Sequence, residues 1–171
     1  MERKYTVLRY MAYSLEILIF YIIQGVPDLI PNVLGGKPLL LIPVALTIAC
    51  FENEVPAMAF GVACGGMMDF GVGTHFGFYT IALAIVCFFV GYFAENYFNT
   101  KLVIALIISL VLIPLLISLN FVINYIFAGY SRGGYYFVHH TLATMGYTFL
   151  TVPVFYGINR VLSRGFNDNL F

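Results

Sequence analysis

The chain has 171 residues, 61% of them hydrophobic and only 9% charged. A soluble domain carries about 25% charged residues, and eight basic plus eight acidic side chains cannot cover a soluble surface of this size. With a mean hydropathy of +0.94, this composition excludes a soluble enzyme and a disordered tail and implies an integral membrane protein. The formal net charge is zero and there is no basic run, which also excludes nucleic acid as a partner.

A membrane helix takes about 20 residues, so six of them would use about 120 and leave only short loops. The amino end carries Glu2, Arg3, Lys4 and Arg9 ahead of an apolar run over 10–26. That run ends in Gln-Gly-Val-Pro without a small-x-small cleavage site, so it reads as an uncleaved first span, with Glu16 inside it. Glu16 either pairs with another helix or lies shallow and reaches the interface. Pro27 to Lys37 reads as a loop. Spans over 38–51 and 56–70 are short and flank Glu52-Asn53-Glu54, which predicts a tight helical hairpin with thin or tilted crossings. A glycine-rich turn from Gly71 to Gly77 leads into a span over 78–94. The most apolar segment is 102–128, with Pro114 inside it, and the last span is 137–158. The prediction is a single all-α membrane domain, 1–171, built as a polytopic bundle of about six transmembrane helices.

An even number of spans puts both termini on one side. Arg3, Lys4, Arg9, Lys101, Arg160 and Arg164 fall on that side, and Lys37 and Arg132 on the other. Basic residues accumulate in cytoplasmic loops, so both ends are expected in the cytoplasm. With no tryptophan in the chain, tyrosines near the predicted membrane ends take the role of interfacial anchors.

The densest pattern is Ala57-x3-Gly61-x3-Gly65-Gly66-x2-Asp69, with Ala45-x3-Ala49 on the span before it. Small residues four apart line one helix face and let another helix approach closely. That face serves either packing within the chain or docking of a partner's membrane helix. Asp69 ends it beside the turn from Gly71 to Gly77. An ionised carboxylate there can clamp the turn by accepting bonds from its amides; a substrate or proton role is the alternative. Cys50, Cys64 and Cys87 lie in apolar stretches and read as inert thiols. His75, His139 and His140 have no accompanying ligand cluster, and adjacent histidines on a helix point about 100° apart. No catalytic, metal or cofactor motif is present, so no enzyme activity and no cofactor are expected. Arg132, flanked by tyrosines in the loop from Tyr130 to Tyr136, is either an interfacial aromatic loop or a lid over a ligand.

From Pro38 to about Glu95 the chain resembles the rod shape-determining MreD family. The resemblance is carried by Pro38-Leu-Leu-Leu-Ile42, by Phe60-Gly61-x3-Gly65-Gly66-x2-Asp69 and by the turn ending in Gly77-Phe-Tyr79. Phe76-Gly77 stands where that family more often has Leu-Gly, and the acidic Glu52-Asn53-Glu54 loop is a departure from it. The resemblance implies a multi-pass protein of the bacterial cytoplasmic membrane without enzymatic activity. Its implied partners are the MreC membrane helix, the RodA/PBP2 pair and the MreB-associated elongation complex, and its implied role is support of lateral peptidoglycan synthesis. The architecture is also similar to the substrate-binding S-components of energy-coupling-factor vitamin transporters, where an alanine-x3-alanine motif meets the coupling subunit. Ala45-x3-Ala49 is open to that second reading.

The even-span topology is checked by cysteine-accessibility labelling on intact cells. Cysteines placed beside Lys37 and Arg132 should label from outside, and those beside Lys101 and Arg164 only after permeabilisation. Opposite labelling of the Lys101 and Arg164 sites would refute an even number of spans.

Overall fold

The computed structural model describes residues 2–26, 38–72, 77–96, 102–123 and 141–165, with the side chains of 2–5, 72, 95 and 164 excepted. The loop around Arg132, the three histidines, Lys37 and Lys101 lie outside the described residues. Among the described residues there are six helices and no strand: α1 (Glu2–Gly25), α2 (Leu41–Ala49), α3 (Glu54–Val72), α4 (Phe78–Asn96), α5 (Leu102–Phe121) and α6 (Leu142–Gly165). Two stretches, Thr6–Gly25 and Leu102–Phe121, are long and apolar enough to cross a membrane by themselves, and Phe78–Ala94 is a shorter apolar stretch.

The second predicted span departs most from expectation. Only nine residues of 38–51 are helical, about 13 Å of rise, too short for a hydrocarbon layer of about 30 Å. Polar Glu52 and Asn53 stop the helix at one end. At the other end α6, which is parallel to α2, and α1, which is antiparallel to it, supply its caps: Thr148 Oγ1 accepts the Leu39 amide at 3.1 Å and Gln24 Oε1 the Leu41 amide at 3.3 Å. These are amides that a helix start leaves without partners, and in an apolar setting water cannot serve them. Pro43 sits in the same first turn, where a missing amide costs nothing. The segments 10–26, 56–70 and 78–94 correspond to longer helices, α1 beginning at Glu2; of 102–128 the helix covers Leu102–Phe121, of 137–158 it begins at Leu142 and runs on to Gly165, and 124–140 lie outside the described residues.

All nine α2 side chains are buried, including Thr47. Packing explains why. The helix touches each of the other five, and those five close a ring around it in the order α1, α3, α4, α5, α6 and back to α1. The core is therefore α2 itself with the inward faces of its neighbours: Tyr13 and Ile17 from α1, Cys64 and Met68 from α3, Leu83 and Cys87 from α4, Ile113 and Leu116 from α5, Val152 and Phe155 from α6. The outward faces are apolar too. Met11 and Leu15 on α1, Val103, Ile107 and Val111 on α5, and Leu150 and Val161 on α6 are all exposed. A ring that is apolar inside and outside is the pattern of a lipid-embedded bundle.

Within the ring α3 and α4 form the closest pair. A methyl group added at Gly65 would lie 2.4 Å from the Tyr79 carbonyl oxygen and 2.6 Å from the Thr80 Cα; at Gly61 it would lie 2.6 Å from the Leu83 oxygen. On the α4 side, Gly91 gives the same room to Ala57, whose Cβ would be 2.9 Å from the added atom. Gly66, next in sequence, has only the Thr80 hydroxyl at 3.8 Å. Gly65→Ala should therefore destabilise by about 1–3 kcal/mol through overpacking, with Gly61→Ala close behind. Gly66→Ala and Val103→Leu should be nearly neutral. Thermal unfolding in detergent micelles reads the difference, and equal loss at Gly65 and Gly66 would show that the seam is not the reason.

Candidate functional site

Two groups of polar side chains stand out against this apolar frame. The first closes the α3–α4 seam. Gly77 has φ +96°, a left-handed conformation suited to glycine, and its carbonyl accepts the Ile81 amide at 3.0 Å to open α4. A glycine has no side chain with which to cap the helix it precedes. Asp69, near the end of α3, does so from across the turn. Its Oδ1 accepts the Tyr79 amide at 3.0 Å; its Oδ2 accepts the Thr80 amide at 2.9 Å and the Thr80 hydroxyl at 2.6 Å. The carboxylate thus sits at the positive end of α4, where the peptide dipoles favour it. The donors it holds belong to the first turn of α4, just past Gly77, while residues 73–76 of the glycine turn lie outside the described residues. A Cβ added at Gly71, on the last turn of α3, would meet only the Tyr21 ring, in ordinary contact at 3.7 Å.

The second group lies at the other end of α2, where α1 begins and α6 ends. Arg9 Nε lies 2.7 Å from Glu52 Oε1, and Arg9 Nη2 donates to Oε2 at 3.0 Å. Burial pushes the Glu52 carboxyl above the ordinary carboxylate range, and the Arg9 guanidinium pulls it back. Arg9 keeps some exposure while Glu52 keeps almost none. Tyr13 lies one turn further along α1, close to Glu52 and to Ser163 of α6. Deeper in the bundle, Asn159 Nδ2 donates to Thr47 Oγ1 at 2.9 Å and approaches Glu16 Oε1 at 3.5 Å. Aromatic edges fill the gaps between these helices: Tyr10 and Tyr13 against Phe60, and Phe20 against Phe155.

The residues singled out in the sequence are distributed as follows. Gly61, Gly65 and Asp69 meet α4 within one seam, and Ala57 joins it through Gly91. That part of the small-residue face is filled from within the chain and presents nothing to a partner. Ala45 and Ala49 are fully buried in α2 at the centre of the ring, so neither offers a surface on which a coupling subunit could dock. Cys50, Cys64 and Cys87 are buried free thiols. The Arg9–Glu52 ion pair and the Glu16–Asn159–Thr47 contacts were not legible as a site. Their members are 43, 143 and 112 positions apart in sequence, and the only signal was the presence of acids in apolar or tightly connected segments.

The Asp69 geometry sets a graded expectation. With both oxygens in use, Asp69→Asn turns an NH2 group toward donors of Tyr79 or Thr80 and leaves a backbone amide unmatched, a loss of about 1–3 kcal/mol. Asp69→Leu strips all three donors and should cost more. Thr80→Val removes one hydroxyl bond and should cost least. Thermal melts of the purified variants should give that order; an Asp69→Asn protein as stable as wild type would show that the carboxylate's second oxygen is dispensable.

The family model described as rod shape-determining protein MreD matches residues 4–164, nearly the whole chain. No curated protein matches the chain, and no solved structure does.

Proposed function

The chain belongs to the MreD family of rod shape-determining proteins, and on that premise we propose that it is a non-enzymatic membrane scaffold of the bacterial cell-elongation machinery. The family's role is rod-shape determination and its members are membrane proteins. The finer reading is that this protein crosses the cytoplasmic membrane six times with both ends in the cytoplasm, binds the membrane helix of MreC, and so supports lateral peptidoglycan synthesis by the RodA/PBP2 pair under MreB.

The observation that carries this reading is the family match across nearly the whole length. The fold supports it in two ways. Arg9, near the start of α1, and Ser163, near the end of α6, belong to the same polar group, so the described ends of the chain lie at one end of the bundle. The polar side chains of α1, α2, α3 and α6 described above hold helices together, while broad apolar faces of α1 and α5 remain exposed to lipid and to other membrane helices. The vitamin-transporter alternative needs Ala45-x3-Ala49 on an accessible face, and both alanines are enclosed by the ring.

The test is complementation in a rod-shaped bacterium depleted of its own family member, with MreC pull-down in parallel. The expected outcome is restored rods and co-purified MreC. Round cells together with a tightly bound small ligand, seen by native mass spectrometry of the purified protein, would favour the transporter reading instead.

A further inference from the structure

Glu16 lies on the inward face of α1 where that helix meets α6, and is only 6% exposed. Its surroundings decide what it can bond. Thr47 has one hydroxyl proton, and its Oγ1 lies 2.7 Å from the Pro43 carbonyl oxygen and 3.0 Å from that of Val44, so the proton goes to the α2 backbone. The Asn159 atom 2.9 Å from Thr47 Oγ1 must then be a donor, which sets the amide with Nδ2 toward Thr47. The other hydrogen on Nδ2 serves Glu16 Oε1 at 3.5 Å. Of the polar atoms of these three side chains, two buried ones are left without a hydrogen-bond partner, Glu16 Oε2 and Asn159 Oδ1. They belong to the same two side chains that already meet through Nδ2 and Oε1.

An ionised Glu16 would make both of those atoms acceptors. It would also lack a counter-charge: Arg9 is about two turns away along α1 and is engaged by Glu52 at 2.7 Å. The other titratable groups on the helices packed here are Tyr13 on α1, whose hydroxyl lies by Glu52 and Ser163, Glu52 itself beyond α2, the Cys64 thiol on α3, and on α6 the buried Tyr156 and Arg160, which is exposed; Asn159 and Ser163 carry no charge. None of these offers a cation to Glu16. A lone carboxylate in an apolar interior is far costlier than a neutral acid. One proton resolves both orphan atoms: Glu16 Oε2–H donates to Asn159 Oδ1 while Asn159 Nδ2–H donates to Glu16 Oε1.

We propose that Glu16 and Asn159 form a buried proton-binding site, a neutral acid–amide pair that latches α1 to α6. Loss of the proton turns one of the two bonds into a contact between acceptors and loosens α1 from the ring. The sign follows: the folded chain holds a proton that the unfolded chain releases, so this contribution to stability is present at low pH and falls as pH rises.

The test uses the full-length protein in detergent micelles. Infrared spectra of the wild type at neutral pH should show the carbonyl stretch of a neutral carboxylic acid, absent from Glu16→Gln. The glutamine amide reproduces both hydrogen bonds without a titrating proton. Glu16→Gln should therefore match the wild-type melting temperature at neutral pH and hold it at alkaline pH, where the wild type declines. A folded wild type without the acid band, or with a melting temperature as flat toward alkaline pH as the variant's, would overturn the proposal. A Glu16→Gln protein that unfolds at neutral pH would overturn it as well, because an amide cannot replace a required carboxylate. Absence of the acid band from the folded wild type overturns the proposal even without the variant.

Discussion

A nine-residue helix enclosed on every side is the constraint from which the rest of this bundle follows. In lipid, apolar side chains gain little by leaving the solvent for each other, so helices associate through packing and satisfied polar groups. α2 is too short to present its ends to water on both faces of a membrane. Its first amides must be met inside the protein, and Gln24 and Thr148 meet them from α1 and α6. Its last carbonyls are taken up by a tight turn, in which Cys50 and Glu52 donate back to Leu46, Thr47 and Ile48. Five neighbours are needed to cover its circumference, and the five other described helices supply them.

The ring is joined by two kinds of contact. Between α3 and α4 the joint is steric: the absence of a Cβ at Gly61, Gly65 and Gly91 lets backbone meet backbone, and Asp69 locks the open end. Such a joint has one best depth, because any added atom meets a main chain that cannot step aside. Around α1 the joint is directional. Arg9 reaches Glu52, Glu16 faces Asn159, Phe20 stands edge-on to Phe155, and Gln24 caps α2, at successive levels along the helix. α1 is otherwise the most lipid-exposed of the helices, with Met11 and Leu15 turned fully outward.

Much of this was readable from the residues, and the limits are physical ones. Composition and the periodic small residues were enough for a helical membrane bundle, for Gly61 and Gly65 as close-approach positions, and for Asp69 as the residue that ends their face. These are local signals, carried by residues near in sequence. The depth of α2 was not readable, because 38–51 is apolar whether it crosses a membrane or fills a ring. Glu52 shows the same limit more sharply. As part of an acidic loop it read only as a departure from the family pattern, yet it is buried against Arg9, a contact that spans 43 positions and that no local pattern encodes. Glu54, two residues on, does follow a local rule: it opens α3, where a carboxylate suits the start of a helix.

The placement of polarity along the bundle separates two kinds of helix. The α3–α4 seam contains no ion pair among the described residues and nothing that a change in charge could release, apart from the Asp69 lock at its end. The α1 seam contains the one described ion pair and the Glu16–Asn159 contact. An interaction that depends on charge and direction weakens sharply when a partner moves or gains or loses a proton, whereas packing across glycines weakens only when the backbones separate. The same bundle therefore combines a closely packed group, α2 with α3 and α4, and an outer helix held by contacts that respond to their environment. α1 is thus the helix whose seating depends on directional, charge-sensitive contacts, and α3 and α4 the pair whose seating depends on shape.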